Sequence, residues 1–168
     1  MLETPLQVAF DLSTFPVDAR FYTEGRVPGL IVGSIYFVEQ DRYQDFLPSE
    51  AANLVCVLLE STELISYNGN AYDLLVLEQH HGLTRPCPMR GVHTDIADIL
   101  AQRNGQAMTF HAATMKYLGE ASLNLIEFRK ERMLEHDPVH RTDFIAKSHE
   151  DIRQTVALWK GWKEGHLA

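Results

Sequence analysis

Residues 64–77 read Leu-Ile-Ser-Tyr-Asn-Gly-Asn-Ala-Tyr-Asp-Leu-Leu-Val-Leu, and this stretch predicts how a strand turns into a helix. Residues 63–67 alternate in polarity and include a β-branched side chain, which indicates a short strand. The Asn68-Gly-Asn70 segment breaks that strand and ends in a suitable N-cap, and residues 71–79 carry apolar side chains at helical spacing. Asp73 therefore lies in the first turn of the helix. By itself, a favourable interaction with the helix dipole, worth up to about 1 kcal/mol, explains this acid.

The length and composition predict one cytoplasmic domain spanning residues 1–168. The chain is 45% hydrophobic and 23% charged, which is ordinary for a globular protein with a full core. No window approaches the roughly 18 apolar residues of a membrane span, and the N-terminus lacks the features of a secretory signal. Cys56 and Cys87 are isolated, which disfavours a zinc ribbon or a disulfide scaffold.

The net charge of −8 argues against a broad basic surface for nucleic acid. It does not exclude an enzyme that holds cations in a carboxylate cleft.

The first half of the chain predicts an antiparallel meander. Residues 6–13 alternate strictly, so that Ala9, Asp11 and Ser13 share the face opposite the apolar one, and Asp11 lies where the strand meets its loop. Residues 29–39 and 42–47 predict the next two strands, joined by a turn at Gln40-Asp41. The polar segment 14–28 is expected to be a loop or lid.

The rest of the chain predicts mainly helices. Ser49 is expected to cap the first helix, and residues 91–95 predict a fifth strand or the entry to the next helix. Asn104-Gly105 and Gly119 are expected to end two later helices. The predicted helices are 52–59, 71–79, 96–103, 109–118, 124–134 and 142–163.

The last helix carries an acid at the margin of its buried face. The side chains predicted to face the core recur every three or four residues, and they are Ile145, Ser148, Ile152, Val156 and Trp159. Asp151 lies beside this stripe, one turn after Lys147. It is either the partner of Lys147 in an ion pair or a site residue, and the ion pair is favoured from this helix alone.

Three carboxylates thus lie in three separate elements, namely Asp11, Asp73 and Asp151. Clustered carboxylates repel one another and take up protons unless cations neutralise them. Mg²⁺ or Mn²⁺, which prefer oxygen ligands, would supply that neutralisation. Two such ions about 3.5–4 Å apart can activate water and stabilise the leaving oxygen in phosphodiester hydrolysis.

Four segments carry a resemblance to a known family. They are Phe10-Asp-Leu-Ser-Thr14, Tyr67-Asn-Gly-Asn-Ala-Tyr-Asp73, His93-Thr-Asp-Ile-Ala-Asp-Ile-Leu100 and Ala146-Lys-Ser-His-Glu-Asp151. In this order they resemble the motifs of the DEDD-type (DnaQ-like) 3′–5′ exonucleases of the ribonuclease H-like superfamily. The resemblance is closest to the exonuclease domains of family-B DNA polymerases and their bacterial stand-alone relatives. The second and third segments are its most specific parts.

The resemblance implies an α/β fold of the ribonuclease H-like type, with a mixed five-stranded sheet and helices on both faces. It implies a two-ion Mg²⁺ or Mn²⁺ site on Asp11, Asp73 and Asp151, which would be the catalytic residues. The substrate would be the 3′ end of a nucleic acid, expected to be single-stranded. The side chains expected to contact it are Ser13, Asn68, Tyr72 and Lys147, although core filling also explains Tyr72 and turn formation also explains Asn68.

Two departures from the family pattern bear on activity. Ser13 stands where the family has a glutamate ligand, and Lys147 stands where it has a tyrosine near the attacking water. A protonated lysine cannot act as a base without a large pKa depression. His149 is only two residues before Asp151, so it should point elsewhere. Hydrolysis is therefore expected to be weak, altered or absent.

Three readings follow for the function. The first is a metal-dependent 3′–5′ exonuclease. The second is a catalytically inactive module that uses the fold to bind nucleic acid or protein. The third is a nuclease in which Glu24 or Glu150 replaces the lost glutamate. Trp159 and Trp162 could also support a homodimer, although burial of Trp159 explains part of that pattern.

Overall fold

The computed structural model describes residues 6–15, 28–83, 91–122 and 139–167, and its centre is a five-stranded mixed sheet. The strand order is β3-β2-β1-β4-β5. The strands are β1 (Gln7–Thr14), β2 (Leu30–Phe37), β3 (Arg42–Phe46), β4 (Glu63–Ser66) and β5 (Val92–Asp95).

The sheet combines the predicted meander with two parallel strands. β2 is antiparallel to both β1 and β3, which confirms the meander. β4 is parallel to β1 and to β5, and the β1–β4 register pairs Ala9 with Ile65. β1 is twice as long as β4, so its carboxyl end continues past the point where β4 turns into a helix.

Five α-helices surround the sheet in the described part of the chain. They are α1 (Ala51–Glu60), α2 (Asp73–His81), α3 (Ile96–Asn104), α4 (Phe110–Tyr117) and α5 (Val139–Lys163). Gly105 and Gly119 have φ angles of 72° and 69° after α3 and α4, as their predicted role in ending these helices requires. No described helix is both long enough and apolar enough to cross a membrane.

The alternation of β1 produces two hydrophobic cores. Val8, Phe10 and Leu12 pack with α1 and α2 on one face of the sheet. Ala9 and Ile65 pack with α3, α4 and α5 on the other. The fold is therefore α/β, with a mixed sheet and helices on both faces.

Two predicted N-caps are wrong. α2 begins at Asp73 and not at 71, because the Asn70 side chain is bonded to His93 and Asp98 instead of capping the helix. Before α1, residues 48–50 form a 3₁₀ turn, and the Glu50 carboxylate accepts the Leu47 N–H at 3.0 Å. Ser49 does not cap α1.

The predicted core stripe of α5 is correct except at its start. Ser148, Ile152, Val156 and Trp159 are buried, but Ile145 is only partly buried and Phe144 takes the buried position. Trp159 also donates its indole N–H to Glu63 at 3.0 Å, which ties the helix to β4. The predicted helix 124–134 and nearly all of the predicted loop 14–28 lie outside the described residues.

Candidate active site

The carboxyl end of β1 meets the turn that follows β4, and α5 crosses the same region. β1 and β4 pair up to Ala9 and Ile65, so the next residues of β1 lie beside residues 67–70. α5 packs against β1, β2 and β4 and brings Asp151 to this edge. The described fold thus places Asp11, Asp73 and Asp151 close enough for their charges to act on one another.

A cavity of about 390 Å³ opens beside Asp11 and Asp151, whereas Asp73 is buried and is not among its lining residues. One wall is acidic, with Asp11 and Asp151, and the other is largely apolar. The Tyr67 and Phe110 rings contact edge to face at 4.9 Å, and the Tyr67 hydroxyl donates to the Met108 carbonyl at 2.9 Å. The lining residues are Phe10, Asp11, Tyr67, Asn68, Met108, Thr109, Phe110, Asp151 and Thr155.

Two of the acids are shifted towards their protonated forms. Asp73 is only 5% exposed, and burial, reinforced by the charges of Asp11, Asp95 and Asp151, raises its pKa well above the usual value. Burial and the charge of Asp11 raise the pKa of Asp151 to about 7, although the Lys147 ammonium opposes the shift. Cations bound at this edge would reverse both shifts.

Lys147 and Asp151 form the ion pair that was predicted from their spacing. The Lys147 ammonium donates to Asp151 Oδ2 one helical turn away, and both side chains are largely buried. The other carboxylate oxygen, Asp151 Oδ1, is buried and has no hydrogen-bond partner among the described residues. Lys147 therefore neutralises part of the acid cluster but leaves one oxygen of Asp151 unsatisfied.

Ser13 and Ser148 bridge β1 and α5. Ser148 Oγ donates to Asp11 Oδ2 at 2.6 Å, and Ser13 Oγ lies 3.0 Å from Ser148 Oγ. Because a hydroxyl has a single proton, and Ser148 gives its proton to Asp11, Ser13 must be the donor to Ser148. The two hydroxyls thus fix Asp11 where the family pattern has an additional carboxylate.

The turn after β4 is held by Asp95. Its carboxylate accepts the backbone N–H groups of Asn68, Asn70 and Ala97 at 2.7, 2.9 and 3.1 Å. Asn68 has a φ angle of 64°, in the left-handed region that asparagine tolerates better than most residues. We call Ser66, Asn70, His93, Asp95 and Asp98 the turn clamp.

His93 completes the turn clamp. Its ring nitrogens lie 2.8 Å from Ser66 Oγ and 2.9 Å from Asn70 Oδ1, and the Asn70 amide donates to Asp98 at 3.0 Å. The His-Thr-Asp-Ile segment therefore acts by positioning the turn that carries Asn68 and Asp73.

The predicted substrate contacts differ in their placement. Asn68 is exposed and lines the cavity, as a substrate contact would. Tyr72 is partly buried against the α1/α2 core, and its hydroxyl lies 2.6 Å from Thr14 Oγ1. Core packing and this hydrogen bond explain Tyr72. Ser13 and Lys147 are both buried and bonded within the protein.

The remaining candidate residues in the described part of the chain, Glu150 and His149, are bonded to other side chains. Glu150 pairs with Arg153, and Glu24 lies outside the described residues. His149 bonds Asp45 at 2.8 Å and stacks on Tyr43 at 4.0 Å, so it points away from Asp151 as expected.

Sequence reasoning did not identify Ser148, Phe110 or Thr155 as site residues. Ser148 was assigned only to the buried stripe, although its position three residues before Asp151 puts both on neighbouring parts of one helix face. Thr155 lies one turn after Asp151, so the same helical spacing could have found it. Phe110 had no local signal, because only the packing of α4 beside the turn brings it to the cavity.

The carboxylate oxygens are donors that suit a hard cation, but they do not form a complete set of ligands around one position. Within the described residues, no three His, Cys, Asp or Glu side chains are placed together as a metal site. Mg²⁺ commonly uses only one or two carboxylates, and water and substrate phosphates complete its shell. Asp11 and Asp73 would supply that number of carboxylates, whereas Asp151 is already paired with Lys147.

Comparisons with known proteins give no family assignment. No family model matches the chain, and no curated protein matches it.

Proposed function

We propose that this chain is a 3′–5′ exonuclease-type domain that receives the 3′ end of a single-stranded nucleic acid and hydrolyses its last phosphodiester bond slowly. The observation that carries the proposal is that Asp11, Asp73 and Asp151, from three separate elements, lie close enough to influence one another, and that Asp11 and Asp151 line one cavity. Mutually repelling buried acids destabilise a fold, and functional sites are where such groups concentrate.

The two walls of the cavity suit the two parts of a nucleotide. The apolar wall, with Tyr67 and Phe110, offers ring surfaces for a base. Asn68 is exposed at the rim and offers an amide to the sugar or base. The acidic wall would carry the phosphate only with a cation present, since bare carboxylates repel it.

Asp11 and Asp73 are the residues that would hold a divalent ion, either Mg²⁺ or Mn²⁺. When bound, such an ion stabilises negative charge on the phosphate oxygens and lowers the pKa of its water. The Ser13–Ser148 chain keeps Asp11 oriented, and the turn clamp holds the turn that leads into Asp73. The absence of a carboxylate at position 13 and the pairing of Asp151 with Lys147 are the reasons to expect slow turnover.

The test is shortening of 5′-labelled single-stranded DNA and RNA in Mn²⁺, with EDTA as the metal-free control. We expect stepwise loss of nucleotides from the 3′ end and at least a hundredfold lower rate for Asp11→Asn, because Asn keeps the shape but removes the charge. The matched control is Asp41→Asn, which changes an exposed acid outside the cavity and should leave the rate unchanged. Equal rates for the wild type and Asp11→Asn would rule out this site as the source of cleavage.

Ser13→Glu is the gain-of-function counterpart. The added carboxylate would lie on the same strand face as Asp11 and replace the hydroxyl that donates to Ser148. We expect tighter Mn²⁺ binding or faster cleavage. Ser13→Ala is the control, because it removes the same hydrogen bond without adding charge. If Ser13→Glu behaves like Ser13→Ala, then position 13 does not contribute to a metal site.

A second candidate is a non-catalytic module that binds nucleic acid or protein. The buried Lys147–Asp151 pair favours it, because it neutralises an acid that a two-ion hydrolase would use. This module would bind a fluorescent oligonucleotide equally well in Mn²⁺ and in EDTA and would leave its length unchanged. Metal-dependent shortening would contradict it.

A further inference from the structure

The side chain of Lys147 is a buried cation. It is only 3% exposed, and its ammonium is directed at Asp151 instead of solvent. Lysine normally keeps its ammonium in water, and moving that charge into a protein interior costs several kcal/mol unless an anion compensates it. Its burial therefore requires the negative charge of this edge.

The acid cluster provides more negative charge than Lys147 neutralises. Lys147 acts on both Asp151 and Asp73, and Asp11 acts on the same two acids. Three carboxylates thus face one ammonium, which leaves an excess of negative charge when all three are ionised. This excess is what a further cation at Asp11 and Asp73 would compensate.

Asp151 itself is arranged like an incompletely coordinated ligand. Its side chain is 11% exposed and borders the cavity, yet its Oδ1 is buried and has no hydrogen-bond partner among the described residues. An orphaned buried carboxylate oxygen is costly, and its unused lone pairs can accept a cation. The Lys147 ammonium lies on the other oxygen of the same carboxylate.

We infer that the Lys147 ammonium occupies a cation position of this site, so that removing its charge opens an additional divalent-cation site on Asp151. The wild-type chain would hold one divalent ion and one ammonium instead of two divalent ions. The inference rests on the proposed function only for the ion at Asp11 and Asp73. The ion added at Asp151 is a separate expectation.

The experiment counts bound Mn²⁺ per chain by electron paramagnetic resonance titration of the free ion. We expect Lys147→Met, which keeps a long apolar stem, to bind one more Mn²⁺ per chain than the wild type. We also expect its melting temperature to rise more steeply with Mn²⁺ concentration, because binding to the folded state stabilises it. Lys147→Gln is a second variant of similar length, and either folded variant is sufficient for the count.

Two controls isolate the cation position. The double variant Lys147→Met/Asp151→Asn removes both charges and should bind the same number of ions as the wild type. Lys160→Met removes an exposed lysine from the same helix and should also leave the count unchanged, which separates a local effect from a change in net charge.

Three results would overturn the inference: an unchanged count in the folded Lys147 variants, two ions in the wild type, or an added ion that persists in the double variant. None of them depends on cleavage. If the wild type binds no Mn²⁺ and Lys147→Met binds one, the cation position is supported while the metal dependence proposed for the wild type fails. Failure of the two proposals is therefore distinguishable.

Discussion

Asp95 and Asp151 are equally buried acids in very different surroundings. Asp95 is 4% exposed, and its two oxygens accept three backbone N–H groups. Asp151 is 8% exposed, has one oxygen paired with Lys147, and leaves the other without a described partner. Both acids are therefore buried, but their hydrogen bonding differs.

The difference separates a structural acid from a candidate functional acid. A carboxylate that satisfies backbone donors stabilises the turn that it holds. A carboxylate that lies among other acids costs stability, and such a cost is typical of residues retained for binding or catalysis. Mutations in the turn clamp should therefore lower the free energy of unfolding, whereas mutations that remove a charge from the acid cluster should raise it.

The largest expected effect is that of Asp95→Ala. The change leaves three buried or partly buried N–H groups without their acceptor, so we expect a loss of about 3 kcal/mol in the free energy of unfolding. Urea denaturation measures it. Asp98→Ala, which removes an exposed acid of the same clamp with one hydrogen bond, should cost about 1 kcal/mol or less. Similar losses for the two variants would contradict the role assigned to Asp95.

An opposite and smaller effect is expected for Asp73→Asn. In the unfolded protein, Asp73 loses its proton near the usual carboxylate pKa. In the folded protein its pKa is raised, so it keeps the proton to higher pH. The free energy of unfolding therefore falls as pH rises between these two pKa values. Asn has no such titration. We therefore expect the free energy of unfolding of Asp73→Asn to rise relative to that of the wild type as pH increases. The difference should reach about 1 kcal/mol at pH 8 without metal.

Melting curves from pH 5 to pH 8 would show this divergence. Mn²⁺ should reduce it by stabilising the wild type more than Asp73→Asn. Asp41→Asn is the matched control, since it lies at an exposed turn. If the stability difference between Asp73→Asn and the wild type stays constant with pH, then the titration of Asp73 does not affect the stability of the fold.

The smallest effect concerns Tyr72→Phe. The ring is retained and the 2.6 Å hydrogen bond to Thr14 is lost, so we expect a cost of about 1 kcal/mol in stability. The Michaelis constant for an oligonucleotide should be unchanged. A rise in that constant without loss of stability would instead assign Tyr72 to the substrate.

The elements with strong periodicity were predictable. The alternation in β1, the Asn-Gly break after β4, and the glycines after α3 and α4 depend on neighbouring residues, and the structure agrees with them. The N-caps at Ser49 and Asn70 were predicted wrongly because a competing interaction decided each helix start. Before α1 the competitor is a 3₁₀ turn in which Glu50 accepts the Leu47 N–H. For Asn70 that competitor is the clamp, which is distant in sequence.

The candidate site was only partly predictable for a related reason. Residue type and spacing were enough to select Asp11, Asp73 and Asp151 and to predict the Lys147–Asp151 pair. The bridge from Ser13 through Ser148 to Asp11 joins positions more than 130 residues apart, so no local pattern could indicate it.

The sequence by itself determined where strands and helices form and which acids lie at their ends, because short-range polarity and backbone preference decide those features. Tertiary structure alone decided which acids share a cavity, which one is satisfied by backbone N–H groups, and which one keeps a buried oxygen without a partner among the described residues. The physical reason is that charge interactions and desolvation depend on distance and burial in space, and neither quantity is set by separation along the chain.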